Sequence, residues 1–186
     1  MARYTVVLDA CVLVPIALAD TLLRVAERDL YRPLWSERIL DEAADAILEI
    51  HPSLKAQSVG RRFTAMRETF EDACVEGWES VDLNLVLPDP DDRHVVATAI
   101  RGKADAIVTA NLRHYPADDL KAFDLEVIHP DDFLLDQLDL APRIVIEVIQ
   151  EQAAHARRPP LDPIDLLVRL ARCGVQGFAD EARRLI

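Results

Sequence analysis

The stretch YTVVLDACVLVP, residues 4–15, decides the fold class of this chain of 186 residues. It opens with a β-branched apolar run that ends at Asp9, the pattern of a strand buried on both faces of a parallel sheet. From Cys11 to about residue 30 the apolar residues recur at helical spacing, so a helix is predicted to follow the strand. Functional residues of parallel sheets gather beyond the carboxyl ends of the strands, which makes Asp9 the first candidate for a functional site.

The chain up to about residue 140 repeats this alternation of short apolar strands and helices. Three more strands are predicted, at residues 81–87, 104–109 and 125–128. Ser36 is placed to cap a helix that ends before Pro52, and further helices are predicted at residues 54–74 and 91–101. This order predicts an α/β protein, with a three-layer α/β/α fold around a short central parallel sheet.

The chain after about residue 140 has a different pattern, because its apolar periodicity is purely helical. Helices are predicted at residues 142–156, 162–172 and 177–185, and the segment ARRPPLDP between the first two reads as a hinge. We therefore predict a domain of residues 1–140 and a helical C-terminal extension of residues 141–186.

The composition excludes several classes of protein. A hydrophobic content of 51% is enough for a packed core, and a formal net charge of −12 argues against a general nucleic-acid coat protein, which needs cations to neutralise phosphates. The three widely spaced cysteines indicate neither a disulfide framework nor a zinc site. The longest uncharged run near the start, residues 10–19, is shorter than the roughly 20 residues of a membrane helix. We therefore expect a soluble cytoplasmic protein.

Polar residues at the ends of three predicted strands point to a metal site. The candidates are Asp9 after the first strand, Asp89, Asp91 and Asp92 after the second, and Thr109, Asn111 and His114 after the third. Clustered carboxylates repel one another unless a cation lies between them, and oxygen ligands suit Mg²⁺ or Mn²⁺ better than zinc. Such a site can hydrolyse a phosphodiester by activating water and neutralising charge. His94, near Asp92, is expected to be a partly exposed structural residue.

Four segments in sequence resemble a known family. These are VLDACVLVP, SERILDE, DPDDRHVVATAI and IVTANLRHYP. In order and spacing they resemble the PIN domain, the fold of the VapC toxins and of related metal-dependent ribonucleases, over residues 4–133. Each segment alone is a weak signal, whereas four in order are fairly specific.

The resemblance assigns ligands position by position. Asp9 looks like the first acidic metal ligand of the family, at the end of the opening strand. Glu42, six residues after Ser36, looks like the second and reaches the site from a helix. Asp92 looks like the third, and Asp91 competes with it, because one of the two can cap the following helix while the other faces the metal.

The fourth position departs from the family pattern. PIN domains commonly follow this strand with Thr or Ser, then Asn or Asp, and often a further Asp three residues later. Here Asn111 is followed by His114, which stands where that further acid often does. A neutral Asn111 can still ligate a metal or bind its water, and His114 at the metal would favour Mn²⁺ over Mg²⁺.

The function implied by the resemblance is a Mg²⁺- or Mn²⁺-dependent endoribonuclease, the toxin of a type II toxin–antitoxin pair. Asp9, Glu42, Asp92 and Asn111 would be the catalytic residues, and Asp9, Glu42, Asp92, Asp91 and His114 the candidate metal ligands. RNA would be the substrate and a small antitoxin the protein partner. The resemblance also implies a homodimer, with the apolar residues 12–23 as an interface, although these residues can equally be covered by the extension.

Two alternatives from other classes stay open at this point. A phosphatase of the haloacid dehalogenase type also begins with a strand that ends in Asp, but it needs a second Asp where this chain has Cys11. A non-catalytic PIN-like module would use the C-terminal helices to hold a protein partner. Dinucleotide binding is excluded because residues 8–14 contain no glycine.

Overall fold

A four-stranded parallel sheet forms the centre of the protein in a computed structural model, which describes residues 4–83, 85–156 and 160–186. The strands are β1 (Thr5–Leu8), β2 (Arg32–Leu34), β3 (Ala106–Val108) and β4 (Glu126–Ile128). They pair in the order β2-β1-β3-β4, with Val6 beside Pro33 on one side and Ala106 on the other. The α/β prediction with a short parallel sheet is confirmed.

Helices connect the strands and continue after the last of them. Those before β4 are α1 (Ala10–Leu13), α2 (Ile16–Glu27), α3 (Glu37–Ile50), α4 (Ala56–Thr69), α5 (Arg93–Gly102) and α6 (Ala117–Leu120). Those after it are α7 (Pro130–Leu140), α8 (Pro142–His155), α9 (Pro163–Arg172) and α10 (Gln176–Leu185). Within the described ranges, every helix is too short or too polar to cross a lipid bilayer.

The strand predicted at residues 81–87 is wrong. Residue 84 lies outside the described residues, and the others do not pair with the sheet. Their alternation comes from an extended segment that packs on the core, with Leu85 and Leu87 buried and Val86 89% exposed. The strand missing from the prediction is β2, whose three residues include Pro33. Because proline lacks a backbone donor, it is tolerated at such a sheet edge, and three residues give no periodic signal.

The single helix predicted after Asp9 is also wrong, because the chain is divided at Pro15 into α1 and α2. Proline has no N–H to continue the helical hydrogen bonds, and Pro15 itself is extended, with φ −70° and ψ 113°, which separates the two helices. The consequence is a four-residue helix α1 that follows β1 directly and is capped by the Asp9 side chain.

The C-terminal helices cover α2. Helix α2 contacts both α8 and α9, and its residues Leu18 and Leu22 are almost completely buried, whereas Ile16 at its start is 72% exposed. Of the two roles considered for residues 12–23, packing under the extension is the one that the structure supports for most of α2. The homodimer and the boundary near residue 140 stay predictions.

Two buried polar contacts fix this packing. The Thr21 hydroxyl donates to Gln152 Oε1 at 2.7 Å, and Gln152 Nε2 donates to the Ala17 carbonyl at 3.0 Å. Between α7 and α10, the Asp131 carboxylate accepts the backbone N–H groups of Gly177 and Phe178 at 3.0 and 2.7 Å. A Cβ atom on Gly177 would lie 2.8 Å from Asp131 Oδ2, so glycine permits this close approach.

Candidate active site

Asp9 is held at the carboxyl end of β1 by its neighbours on both sides. Its backbone N–H donates to the Val108 carbonyl in β3 at 3.1 Å, so the sheet fixes its Cα position. Its Oδ1 accepts the Ala10 N–H at 2.7 Å, and its Oδ2 accepts the Thr109 hydroxyl at 2.7 Å. Asp9 is only 6% exposed. The Cys11 thiol and the Tyr115 hydroxyl also approach Oδ2, at 3.4 and 3.5 Å, so Oδ1, with a single donor, is the oxygen that keeps an acceptor site for a cation.

Cys11 belongs to the packing around Asp9. Its thiol lies 3.4 Å from Asp9 Oδ2 and 3.3 Å from the Thr109 hydroxyl, and its sulfur accepts the Ala110 N–H. Burial, together with the Asp9 charge, raises the pKa of Cys11 to about 12. The thiol is therefore protonated at neutral pH and is not suited to act as a nucleophile.

Glu42 reaches the same region from α3. The Ser36 hydroxyl caps this helix by accepting the Ile39 N–H, as predicted. The Glu42 Oε1 atom lies 3.0 Å from Arg38 Nε and 3.0 Å from His94 Nε2. Burial raises the pKa of Glu42, Arg38 opposes that shift, and the charges of Asp9 and Asp91 add to it. Glu42 is thus close enough to Asp9 for the two charges to interact.

His94 lies on α5 and supports Glu42. It is 3% exposed, which contradicts the expectation of a partly exposed residue, and its ring packs at 5.7 Å from that of Trp78. Burial lowers the pKa of His94 to about 4, so the imidazole is neutral at neutral pH. Among the described residues Nδ1 has no hydrogen-bond partner, so the proton belongs on Nε2, where it is donated to Glu42.

The carboxylates of residues 89–92 have different roles: one caps a turn and another faces the site. Asp89 caps the 3₁₀ turn Pro90–Asp92 by accepting the Asp91 N–H at 3.0 Å, and α5 begins at the next residue. Asp92 makes no capping bond, and its Oδ2 lies 2.8 Å from His114 Nδ1. Burial raises the pKa of Asp92, His114 opposes the shift, and the Asp9 and Asp89 charges add to it. Asp91 is exposed, although its charge still acts on Glu42 and His94.

His114 and Asn111, the two candidate site residues predicted after β3, make different kinds of contact. His114 ends the 3₁₀ turn Leu112–His114 and pairs with Asp92, at 24% exposure of its side chain. Asn111 contributes its backbone instead, since its N–H donates to the Thr109 hydroxyl and its carbonyl accepts the His114 N–H. Within the described ranges, no hydrogen bond is seen from the Asn111 side chain, so its predicted catalytic role stays a prediction.

Donor atoms of three residues lie close enough together to share one metal ion. One ligand atom from each of Asp89, Asp92 and His114 lies within 4.8 Å of the other two. Carboxylate oxygens and an imidazole nitrogen fit a divalent cation. Asp89 follows the segment predicted as the second strand and is not among the predicted metal ligands. The signal that could have found it is the acidic spacing of DPDD itself, which puts a third carboxylate in the same turn.

The comparisons with known proteins match two parts of the chain. A family model described as a PIN domain matches residues 5–113, and one described as the VapC50 C-terminal domain matches residues 130–184. A protein of Mycobacterium tuberculosis (strain ATCC 25618 / H37Rv), named "Putative ribonuclease VapC50", is 48% identical over 94 residues. That match covers 50% of this chain and 55% of the mycobacterial protein, so the chain spans about half the length of this relative. The search of solved structures returned no match.

Proposed function

The chain belongs to the PIN domain family, and on that premise we propose that it is a metal-dependent endoribonuclease. The observation that carries the proposal is that Asp9 at the end of β1 lies near enough to Glu42 on α3 and to Asp92 before α5 for its charge to act on both. These three residues are far apart in sequence. Among the described residues, the ligand atoms within 4.8 Å of one another are those of Asp89, Asp92 and His114. A carboxylate cluster of this kind is what a divalent ion needs in order to bind.

The proposed ligands are Asp9, Glu42 and Asp92, with His114 beside Asp92, and the ion is Mg²⁺ or Mn²⁺. When bound, such an ion supplies an activated water and neutralises charge on the phosphoryl group. The protein's part is to hold the carboxylates in place: Thr109 orients Asp9, while Arg38 and His94 orient Glu42. Asp91 remains an alternative to Asp92 as third ligand.

We also propose that the protein acts as the toxin of a toxin–antitoxin pair in the cytoplasm. The name of the mycobacterial relative and the match to the VapC50 C-terminal domain support this proposal, and the three free cysteines agree with a reducing compartment. An apolar groove of about 670 Å³, lined in part by Ile16, Ile50 and Leu54, offers a surface for an antitoxin segment or for a second copy in a homodimer.

Cleavage of a mixed RNA pool tests the nuclease. The purified full chain, freed of any partner, is incubated with Mg²⁺, with Mn²⁺ and with chelator, beside Asp9→Asn and the matched control Asp45→Asn. Asp45 is exposed on α3 and lies outside the carboxylate cluster. We expect metal-dependent cutting that Asp9→Asn lowers by at least about 100-fold, since each 1.36 kcal/mol of lost transition-state stabilisation is a factor of ten.

Circular dichroism shows whether each variant is folded. Unchanged cleavage by the folded double variant Asp9→Asn/Asp92→Asn would refute the proposed nuclease site. No cutting by the folded wild type with either metal would favour the non-catalytic binding module.

A further inference from the structure

Arg38 lies beside the proposed carboxylate ligands, in the first turn of α3 and one turn before Glu42. Its Nε donates to Glu42 Oε1 at 3.0 Å, and its charge acts on both Glu42 and the buried His94. The Arg38 side chain is 43% exposed, so it extends along the protein surface to the edge of the site. Arg38 is therefore a cation at a point where a substrate would approach Glu42.

The pairing with Glu42 uses only part of the Arg38 guanidinium. Among the described residues, no hydrogen bond is seen from its two terminal NH₂ groups. Arg67 on α4 differs, because its Nε and one terminal nitrogen donate to the two carboxylate oxygens of Glu37. A guanidinium offers five N–H donors in a planar fork that matches the oxygens of a phosphate. Arg38 therefore keeps the donors that a phosphate group would use.

The arginines of α5 and of the turn after β3 are less suited to this role. Arg93 and Arg101 donate to backbone carbonyls. Arg113 is exposed, and within the described ranges it is not held in place by an ion pair. Arg38 differs from these three in being fixed by a side chain of the site and in having terminal donors open to a ligand.

The charge of the protein makes a local cation necessary for binding RNA. The formal net charge is −12, and the carboxylates of the site themselves repel phosphate groups. A guanidinium in a fixed position beside them offsets this repulsion for one phosphate. The first turn of α3 adds to the effect, because the helix dipole favours a negative group at that end of a helix.

We propose that Arg38 binds a phosphate group of the RNA substrate with its terminal NH₂ groups while its Nε stays on Glu42. The proposal rests on the proposed function for the identity of the substrate. The bound phosphate would lie next to Glu42, so Arg38 would hold the RNA backbone over the proposed metal ligands. Because a phosphate contact does not read the bases, we expect it to act on RNA of any sequence.

Binding of a short fluorescent single-stranded RNA tests the contact without cleavage. Anisotropy is measured in chelator, in the background Asp91→Asn/Asp92→Asn, which removes two repelling charges at exposed or half-buried positions. We expect Arg38→Gln to weaken RNA binding on the order of tenfold, because charge-assisted hydrogen bonds to a phosphate are lost. The slope of log Kd against log salt concentration should become shallower by about 0.7, the value for one phosphate contact on a single strand.

Arg24→Gln is the matched control. Arg24 also donates from Nε to a carboxylate four positions away, that of Asp20, at 3.0 Å, but it lies on α2. The substitution removes the same positive charge, and at about 0.1 M salt a distant charge is largely screened. RNA binding by Arg24→Gln should therefore stay within about twofold of the background protein.

A second substitution separates a phosphate contact from simple neutralisation of Glu42. With Glu42→Gln present, Arg38 has no carboxylate charge to neutralise there, so the loss caused by Arg38→Gln should persist if Arg38 contacts RNA. Disappearance of that loss would overturn the proposal. RNA binding by folded Arg38→Gln equal to that of the control, or no RNA binding by the background protein, would also overturn it.

The failure of this proposal can be told apart from the failure of the nuclease. If the wild type cuts RNA but Arg38→Gln leaves RNA affinity and the salt slope unchanged, the nuclease stands and the phosphate contact falls. If RNA binding depends on Arg38 as expected but no metal-dependent cutting is found, the phosphate contact stands and the nuclease falls.

Discussion

The two sides of the carboxylate cluster are built in different ways. Asp9 follows a strand that is buried along its length, and its carboxylate is held by a backbone N–H and by Thr109. Asp92 lies in a 3₁₀ turn, makes no capping bond and contacts His114, which itself lies in a second short turn. The first side is positioned by a sheet and the second by loops.

This difference suggests that the two sides have different roles in one site. Side chains on regular elements are held more precisely than those on loops, so we expect the Asp9 side to set the position of the proposed ion. Loops tolerate substitution and adjust more easily, so we expect the Asp92 side to adapt to a substitution more readily than the Asp9 side.

The largest difference in RNA cleavage is expected between variants of two adjacent acids in the turn, Asp92 and Asp91. Asp92→Asn should lower RNA cleavage by at least about 100-fold, because Asp92 is half-buried and its charge interacts with that of Asp9. Asp91→Asn, at an exposed position, should change cleavage by only a few-fold. Cleavage rates measured at saturating Mn²⁺ check this, and the reverse order would make Asp91 the third ligand.

A smaller effect is expected at His94, which orients Glu42 from behind. His94→Leu removes the Nε2–H donor and should weaken metal binding by about 10- to 100-fold, whereas His94→Gln keeps a donor and should retain more of the affinity. Leucine also removes a buried Nδ1 atom that lacks a partner, a defect of about 1–3 kcal/mol, so the free energy of unfolding should not fall.

Mn²⁺ titration and urea unfolding of the same His94 samples provide the measurement. Equal metal affinity in the leucine variant and the wild type would show that Glu42 is positioned without His94. A large loss of stability in both variants would instead assign His94 to packing against Trp78.

The smallest effect is expected at Thr109, the side chain that orients Asp9. Thr109→Val removes the donor to Asp9 and the acceptor for the Asn111 N–H, which should cost about 1–2 kcal/mol of unfolding free energy and reduce cleavage several-fold. Thr109→Ser keeps the hydroxyl and should stay close to wild type in cleavage. Urea unfolding and initial cleavage rates are the measurements. A valine variant with full activity would mean that the other contacts of Asp9, with Ala10, Cys11 and Tyr115, orient it without Thr109.

The sequence predicts the sheet side of the site, with Asp9 and Glu42. A buried strand that ends in Asp, followed by a capped helix that carries Glu42, follows from apolar periodicity and from Ser36. The wrong strand predictions concern segments in which the pattern of burial does not match the pattern of backbone pairing. Residues 81–87 alternate because they pack on the core without pairing, and β2 pairs although it has only three residues and a proline.

The loop side could not be predicted to the same depth. Asp92 and His114 are 22 positions apart, and their contact depends on how two short turns meet at the sheet edge. The sequence placed both residues near the site, but it did not give the role of Asp89 or the burial of His94. Those properties depend on packing by Trp78 and by the turn, which leave no periodic pattern.

The contact between Asp131 and the start of α10 has a consequence for how the chain folds. Asp131 lies in the first turn of α7, so its carboxylate joins the beginning of the four terminal helices to the beginning of the last one, across 46 positions. A contact that closes so long a loop couples the helices between its ends into one cooperative unit. Amide hydrogens of α7 and α10 would then exchange with solvent in common opening events, and α10 would not open independently of α7.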